Sequence, residues 1–132
     1  MNGPRALEER GLSHIVELEL PARLDFNAVG RLVVGGVASR LDFEVADIED
    51  LQLAVEAVLC RTPAEDTITL ILEPSQGELH ARVGPFATNG DRERVERMLR
   101  RLVNEAVVQD SGDNEWVVIR AARKRATASG SS

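Results

Sequence analysis

The segment from Val45 to Arg61 restricts the fold more than any other. Ile48, Leu51, Ala54, Val55, Val58 and Leu59 recur at i, i+3, i+4 and i+7 spacing, which draws one apolar stripe along a helix that starts at about Val45 or Asp47. Thr62-Pro63 ends it, because the residue before a proline avoids the helical region. A helix with a single apolar stripe has to lay it on another element, so the rest of the chain must supply a surface. A second helix is expected just before it, from about Phe26 to Leu41, with Asp25 as its cap and Phe26, Val29, Val33, Val37 and Leu41 as its stripe. Gly30, Gly35 and Gly36 fall inside that helix, where each costs about 1 kcal/mol relative to alanine. Close packing of these glycines against the neighbouring helix, at Ala54, accounts for them. A hinge is the alternative.

The surface comes from strands. Val16, Leu18 and Leu20 alternate with Glu17 and Glu19, which gives a half-buried strand from His14 to Leu20, stopped by Pro21. Ile68, Leu70 and Leu72 form a second strand, and Glu73-Pro74-Ser75-Gln76-Gly77 turns the chain into a third through Leu79, Ala81 and Val83. That hairpin loop is slightly longer than the tightest class. A third helix is expected from about Asp91 to Val107, with Val95, Met98, Leu99, Leu102, Val103 and Ala106 inward, and a last strand from Trp116 to Ala121 after the Ser111-Gly112-Asp113-Asn114 turn. The order β-α-α-β-β-α-β gives an α+β two-layer sandwich: a largely antiparallel mixed sheet with its helices on one face. Residues 1–12 are expected to be a loose lead-in, residues 13–122 the domain, and residues 123–132 a disordered tail.

Several function classes are excluded. The net charge of −6 repels nucleic acid and anionic membrane surfaces. The few aromatics offer no stacking platform for single strands. Cys60 is the only cysteine, so no internal disulfide forms. No apolar run approaches the ~20 residues of a membrane span, and the cytoplasm is the expected compartment. His14, His80 and Cys60 show no metal-ligand spacing, and Cys60 is expected to be a small packing residue. Gly84-Pro85-Phe86 and Asn89-Gly90 are turn chemistry rather than a phosphate loop. Arg92, Arg94, Arg97, Arg100 and Arg101 interleave with Asp91, Glu93 and Glu96, the pattern of a solvated helix face, with a basic docking site as the alternative.

GGVASRLDFEVADIEDLQLAVEAVL is the most distinctive stretch. With Val37-Ala38-Ser39-Arg40-Leu41, Phe43, Ile48-Glu49-Asp50-Leu51 and Leu53-Ala54-Val55, it closely resembles the paired helices of the anti-sigma regulatory factors, serine kinases of the RsbW type. These belong to the histidine-kinase-like (GHKL) ATPases with the Bergerat fold. Leu102-Val103-Asn104-Glu105-Ala106-Val107 resembles the family's late helix, and Trp116-Val117-Val118-Ile119 stands in the place of its closing strand.

The resemblance implies catalytic positions that this chain does not keep. After Leu-Ala-Val the family places a glutamate as general base and, further on, an asparagine that binds magnesium. Those positions are Ala57 and Arg61 here. Glu56 is one residue early, about 100° around the helix and on the side of Gln52, so it does not reach the same proton. The family's Asp-x-Gly-x-Gly is absent after the hairpin, which exits through Arg82-Val83-Gly84-Pro85-Phe86. Gly84 to Gly90 is too short for a nucleotide lid, and Glu115-Trp116 replaces a late Gly-Thr.

The expected protein is therefore a pseudokinase-like anti-sigma regulator that acts by binding proteins and needs neither ATP nor magnesium. A sigma factor or a STAS-type anti-anti-sigma protein is the implied partner. The alternatives are an active ATP- and magnesium-dependent kinase with Glu56 as base, and a homodimeric structural subunit. Strand alternation sends Val117, Ile119 and Ala121 toward the helices, and Trp116 and Val118 away from them, beside Ile71 and Ile15. Trp116, Val118 and Ile71 are the expected partner surface; the alternative puts Trp116 at a strand end, covered by the lead-in.

Overall fold

A computed structural model describes residues 14–123. The expected lead-in, and all of the expected tail beyond Arg123, lie outside the described residues. Five strands, β1 (Val16–Pro21), β2 (Thr67–Ser75), β3 (Glu78–Ala87), β4 (Glu105–Ser111) and β5 (Asn114–Ala122), form one sheet in the order β1-β2-β3-β5-β4. Every neighbouring pair is antiparallel, so the expected mixed sheet has no parallel pair among the described residues. After a 3-10 turn at Leu24–Phe26 come α1 (Asn27–Arg40) and α2 (Val45–Leu59), and α3 (Arg92–Leu99) follows β3. The result is the expected α+β sandwich.

Alternation decides which face the helices cover. Leu72 pairs with Ala81, Ala81 with Ile119 and Ile119 with Ala106, one apolar row across four strands. Leu70, Val83, Val117 and Val108 make the next. All eight are buried, in one cluster with Leu51, Val55 and Val58 of α2 and Val95 and Leu99 of α3. Burying a side chain of this size stabilises the fold by about 1.5–3 kcal/mol.

The α1 stripe differs from the expected one. Gly30, Val34, Gly35 and Ala38 are buried, whereas Val29 is exposed and Phe26, Val33 and Val37 are only partly covered. Small residues bring the helix in close: a Cβ at Gly30 would lie 2.9 Å from Leu59 Cδ1, and one at Gly35 would collide with Gln52 Nε2. Apolar spacing alone does not register that face. Gly36 has nothing within 4 Å of such a Cβ and takes no part. Asp25 does not cap α1; its carboxylate pairs with Arg23 at 3.2 Å.

The third helix is shorter than expected and a strand is gained. α3 stops at Leu99, and Glu105 to Ser111 is β4. Ala106 and Val108 face inward while Glu105, Val107 and Gln109 face out, and the β-branched pair Val107-Val108 suits the extended chain. Both hairpins are tight, closed by Gln76-Gly77 and by Gly112-Asp113. Gly77 (φ 68°) and Gly112 (φ 66°) take the left-handed conformation those turns need. Gly84-Pro85-Phe86 is not a turn: β3 runs through it to Ala87, with a register shift against β5 between Val83 and Phe86. Cys60 is exposed at the end of α2 rather than packed, and its sulfur accepts from Asn27 Nδ2 at 3.7 Å.

Candidate functional site

The C-terminal end of α2 carries the positions that the sequence singled out, and helical geometry separates them. Gln52 and Glu56, one turn apart, both turn toward α1. Gln52 Nε2 donates to the Arg31 carbonyl at 3.1 Å, and Glu56 Oε1 lies 3.7 Å from Arg31 Nη1. Ala57, one step around, is partly buried against the core. Arg61 follows the last turn and folds inward.

Arg61 Nη2 donates to Asp91 Oδ1 at 2.8 Å and to Glu115 Oε1 at 2.9 Å. Its guanidinium lies 5.4 Å from the centre of the Phe86 ring. The Arg61 side chain is 6% exposed and that of Glu115 3%. Arg92 extends the cluster, lying 3.7 Å from Glu115 Oε2 and pairing with Asp110. Charges this deep stand only because they are matched: removing one partner leaves the other buried and uncompensated, at about 3–5 kcal/mol. A cavity of about 340 Å³ lies beside Arg61, lined by Ala57, Cys60, Asp91, Arg94 and Met98 among others.

Of this cluster, sequence reasoning had marked only Arg61 as a site residue. Interleaved charges predict a solvated Asp91 and Arg92, and no local pattern gives Glu115 a partner. A signal for Glu115 was present, because it shares the inward parity of Val117, Ile119 and Ala121 on β5. A carboxylate at an inward strand position needs a cation, and Arg61 provides it.

The second candidate region is the sheet face turned away from the helices. Trp116, Val118 and Ile71 all lie on it, as expected. Register sets Glu17, Ile71, Arg82, Val118 and Val107 in one row across the sheet, so Arg82 stands between Ile71 and Val118. Arg82 covers Trp116 at 5.6 Å, and the indole lies over Gly84, where a Cβ would come within 2.6 Å of it. Ile15 is exposed near the free edge of β1. An ion-pair ladder runs beside the apolar residues: Arg120 holds Glu78 at 3.0 Å and Glu105 at 3.1 Å, and His80 lies 3.1 Å from Glu78. The hydrogen bond from Arg120, and then its charge, hold the Glu105 carboxyl below its ordinary pKa. The same bond raises that of Arg120.

Known proteins share both the sequence and the fold. The chain is 30% identical over 99 residues to the serine-protein kinase RsbW of Bacillus velezensis, covering 75% of this chain and 51% of that protein. It is 31% identical over 85 residues to RsbW of Listeria innocua, covering 59% of this chain and 54% of that protein. In a crystal structure of the RsbU and RsbW domains of a Mycobacterium tuberculosis protein, the likeness has a TM-score of 0.70 at 16% identity, over 86% of this chain and 33% of that one. Sequence and fold agree on an RsbW-type chain. It spans about half the length of the curated RsbW relatives it matches. No family model matches the sequence. Among the described residues of this RsbW-type chain, no helix is long and apolar enough to cross a membrane.

Proposed function

We propose that this RsbW-type chain is an anti-sigma regulatory protein that works by binding other proteins, and that it neither binds ATP nor transfers phosphate. The observation that carries the reading is the state of Arg61. A buried guanidinium tied to Asp91 and Glu115 stands at the position where the family resemblance calls for a magnesium ligand. A magnesium nucleotide does not fit residues arranged this way. Glu56 is held toward Arg31, Ala57 carries no base, and Thr88-Asn89-Gly90-Asp91 is all the chain between β3 and α3. The partner is a sigma factor or a STAS-type anti-anti-sigma protein, and it docks on the open sheet face at Trp116, Val118 and Ile71.

The test has two arms. Calorimetry of the full chain with magnesium-ATP at millimolar concentration is expected to give no saturable heat. Incubation with labelled ATP and a candidate STAS protein is expected to transfer no phosphate, while co-purification from the native cell captures a sigma factor or STAS protein. Micromolar ATP affinity would overturn the reading and return the chain to the kinase class. Light scattering decides whether the open face pairs with a second copy instead.

A further inference from the structure

Asp91 and Glu115 come from separate elements, the connection before α3 and strand β5. Yet Asp91 Oδ1 and Glu115 Oε1 lie 2.8 and 2.9 Å from one atom, Arg61 Nη2. Each of that nitrogen's two N–H groups serves one carboxylate. Arg61 Nε and Nη1, by contrast, are buried with no hydrogen-bond partner among the described residues, in a guanidinium set over the Phe86 ring. A site built around the fork of a guanidinium would use more of its five donors. The two carboxylates take from Arg61 a positive charge at one point. We infer that Asp91 and Glu115 form a cation site that the chain fills with its own Arg61. The tethered charge closes the end of α2 onto β5 and the connection before α3, and it keeps that end shut without any ligand.

Removing Arg61 would have a consequence that loss of ordinary packing lacks. Without the guanidinium, the buried Glu115 and the largely covered Asp91 carboxylates face each other at short range, and their repulsion is strong because little water screens it. A hard divalent cation prefers oxygen ligands and would satisfy both. Arg92 lies 3.7 Å from the other oxygen of Glu115, Oε2, so Oε1 stays available. The wild-type protein should therefore ignore divalent cations, and the protein without Arg61 should respond to them.

The experiment is a set of thermal melts of the full chain, in EDTA and in millimolar manganese at matched ionic strength, with no nucleotide present. Its outcome is thus independent of whether the chain binds ATP. Arg61→Asn is expected to melt roughly 10 °C below wild type in EDTA and to regain at least half of that with manganese. Wild type and Arg61→Asn/Glu115→Gln are expected to show no manganese response. If Arg61→Asn does not fold in EDTA, manganese should fold it, and the neutral Arg61→Met/Asp91→Asn/Glu115→Gln variant should fold without any cation. An Arg61→Asn variant that melts like wild type, or does not respond to manganese, overturns the inference. So does an equal response in wild type or in the double variant.

Discussion

This small sheet carries two arginine-carboxylate clusters that differ mainly in solvent access. On the covered face Arg61 holds Asp91 and Glu115 with side chains only 6% and 3% exposed at the Arg61–Glu115 pair. On the open face Arg120 holds Glu78 and Glu105 at similar distances, but Glu105 is 64% exposed. The distances predict equal strength and the surroundings do not. Water screens the open pair and competes for it, whereas the covered pair has little screening and only Arg92, 3.7 Å from Glu115 Oε2, as a further cation. Nearly identical chemistry thus gives a structural lock on one side and an adjustable surface on the other. A partner can exchange contacts with the second kind, but not with the first.

Introducing a charge on each face is the bluntest way to break this comparison. Leu51→Asp or Val55→Asp places an unpaired carboxylate in the core and is expected to cost about 5 kcal/mol or more, comparable to the whole stability of a domain this size. Far-ultraviolet circular dichroism should show the fold lost. Val118→Glu on the open face should keep a native spectrum. A native spectrum for Leu51→Asp would mean that the covered face is not a continuous core. Arg61→Met against Arg120→Met is the next contrast. Urea titration should find the first destabilised by about 3–5 kcal/mol and the second close to wild type. Equal losses would show that solvent access does not separate the clusters.

How far each region was legible follows from the same difference. The open face could be read from alternation alone, because Trp116-Val117-Val118-Ile119 assigns each side chain to a face once the strand is recognised. The helix pair was legible where its stripe is made of large residues, as in α2, and misread by one position in α1, where Gly30 and Ala38 make the contact. β4 was missed because Leu102, Val103, Ala106 and Val107 keep helical spacing across Asn104 and Glu105, and the preceding helical pattern extends through them. The Arg61 cluster joins residues 30 and 54 positions apart in sequence, and no local pattern announces such a contact. Only the inward parity of Glu115 hinted at it.

Binding tests the open face at a residue to which stability is nearly insensitive. Trp116 is half-covered by Arg82 and Gly84, so Trp116→Ala should lower the melting temperature only slightly. It removes the largest apolar surface of the face, and alanine at a tryptophan hot spot typically costs 2 kcal/mol or more of binding, roughly a thirtyfold loss of affinity. Titration against the captured partner, or against the chain itself if it dimerises, reads this directly. Trp116→Ala and Val118→Glu variants that fold and bind at wild-type strength would move the partner surface to the helical side, where α3 carries its arginines.

The smallest expected effect is a pH dependence confined to the open cluster. Arg120 holds the Glu105 carboxyl below its ordinary value, by a hydrogen bond first and by its charge second. A carboxyl with a depressed folded pKa binds fewer protons folded than unfolded, so its contribution is complete above the ordinary carboxylate pKa. The contribution fades as pH falls below that value and through the depressed one, while Arg120 stays charged throughout. Glu105 is mostly exposed, so the difference between wild type and Glu105→Gln should be small at neutral pH and vanish in acid. High salt should shrink it further, since the pair is open to screening. Paired melts across the acid range, at low and high salt, check both signs. A gap that persists at the acid end, or that salt leaves untouched, would mean that Glu105 acts through packing and that the open face is more rigid than its exposure implies.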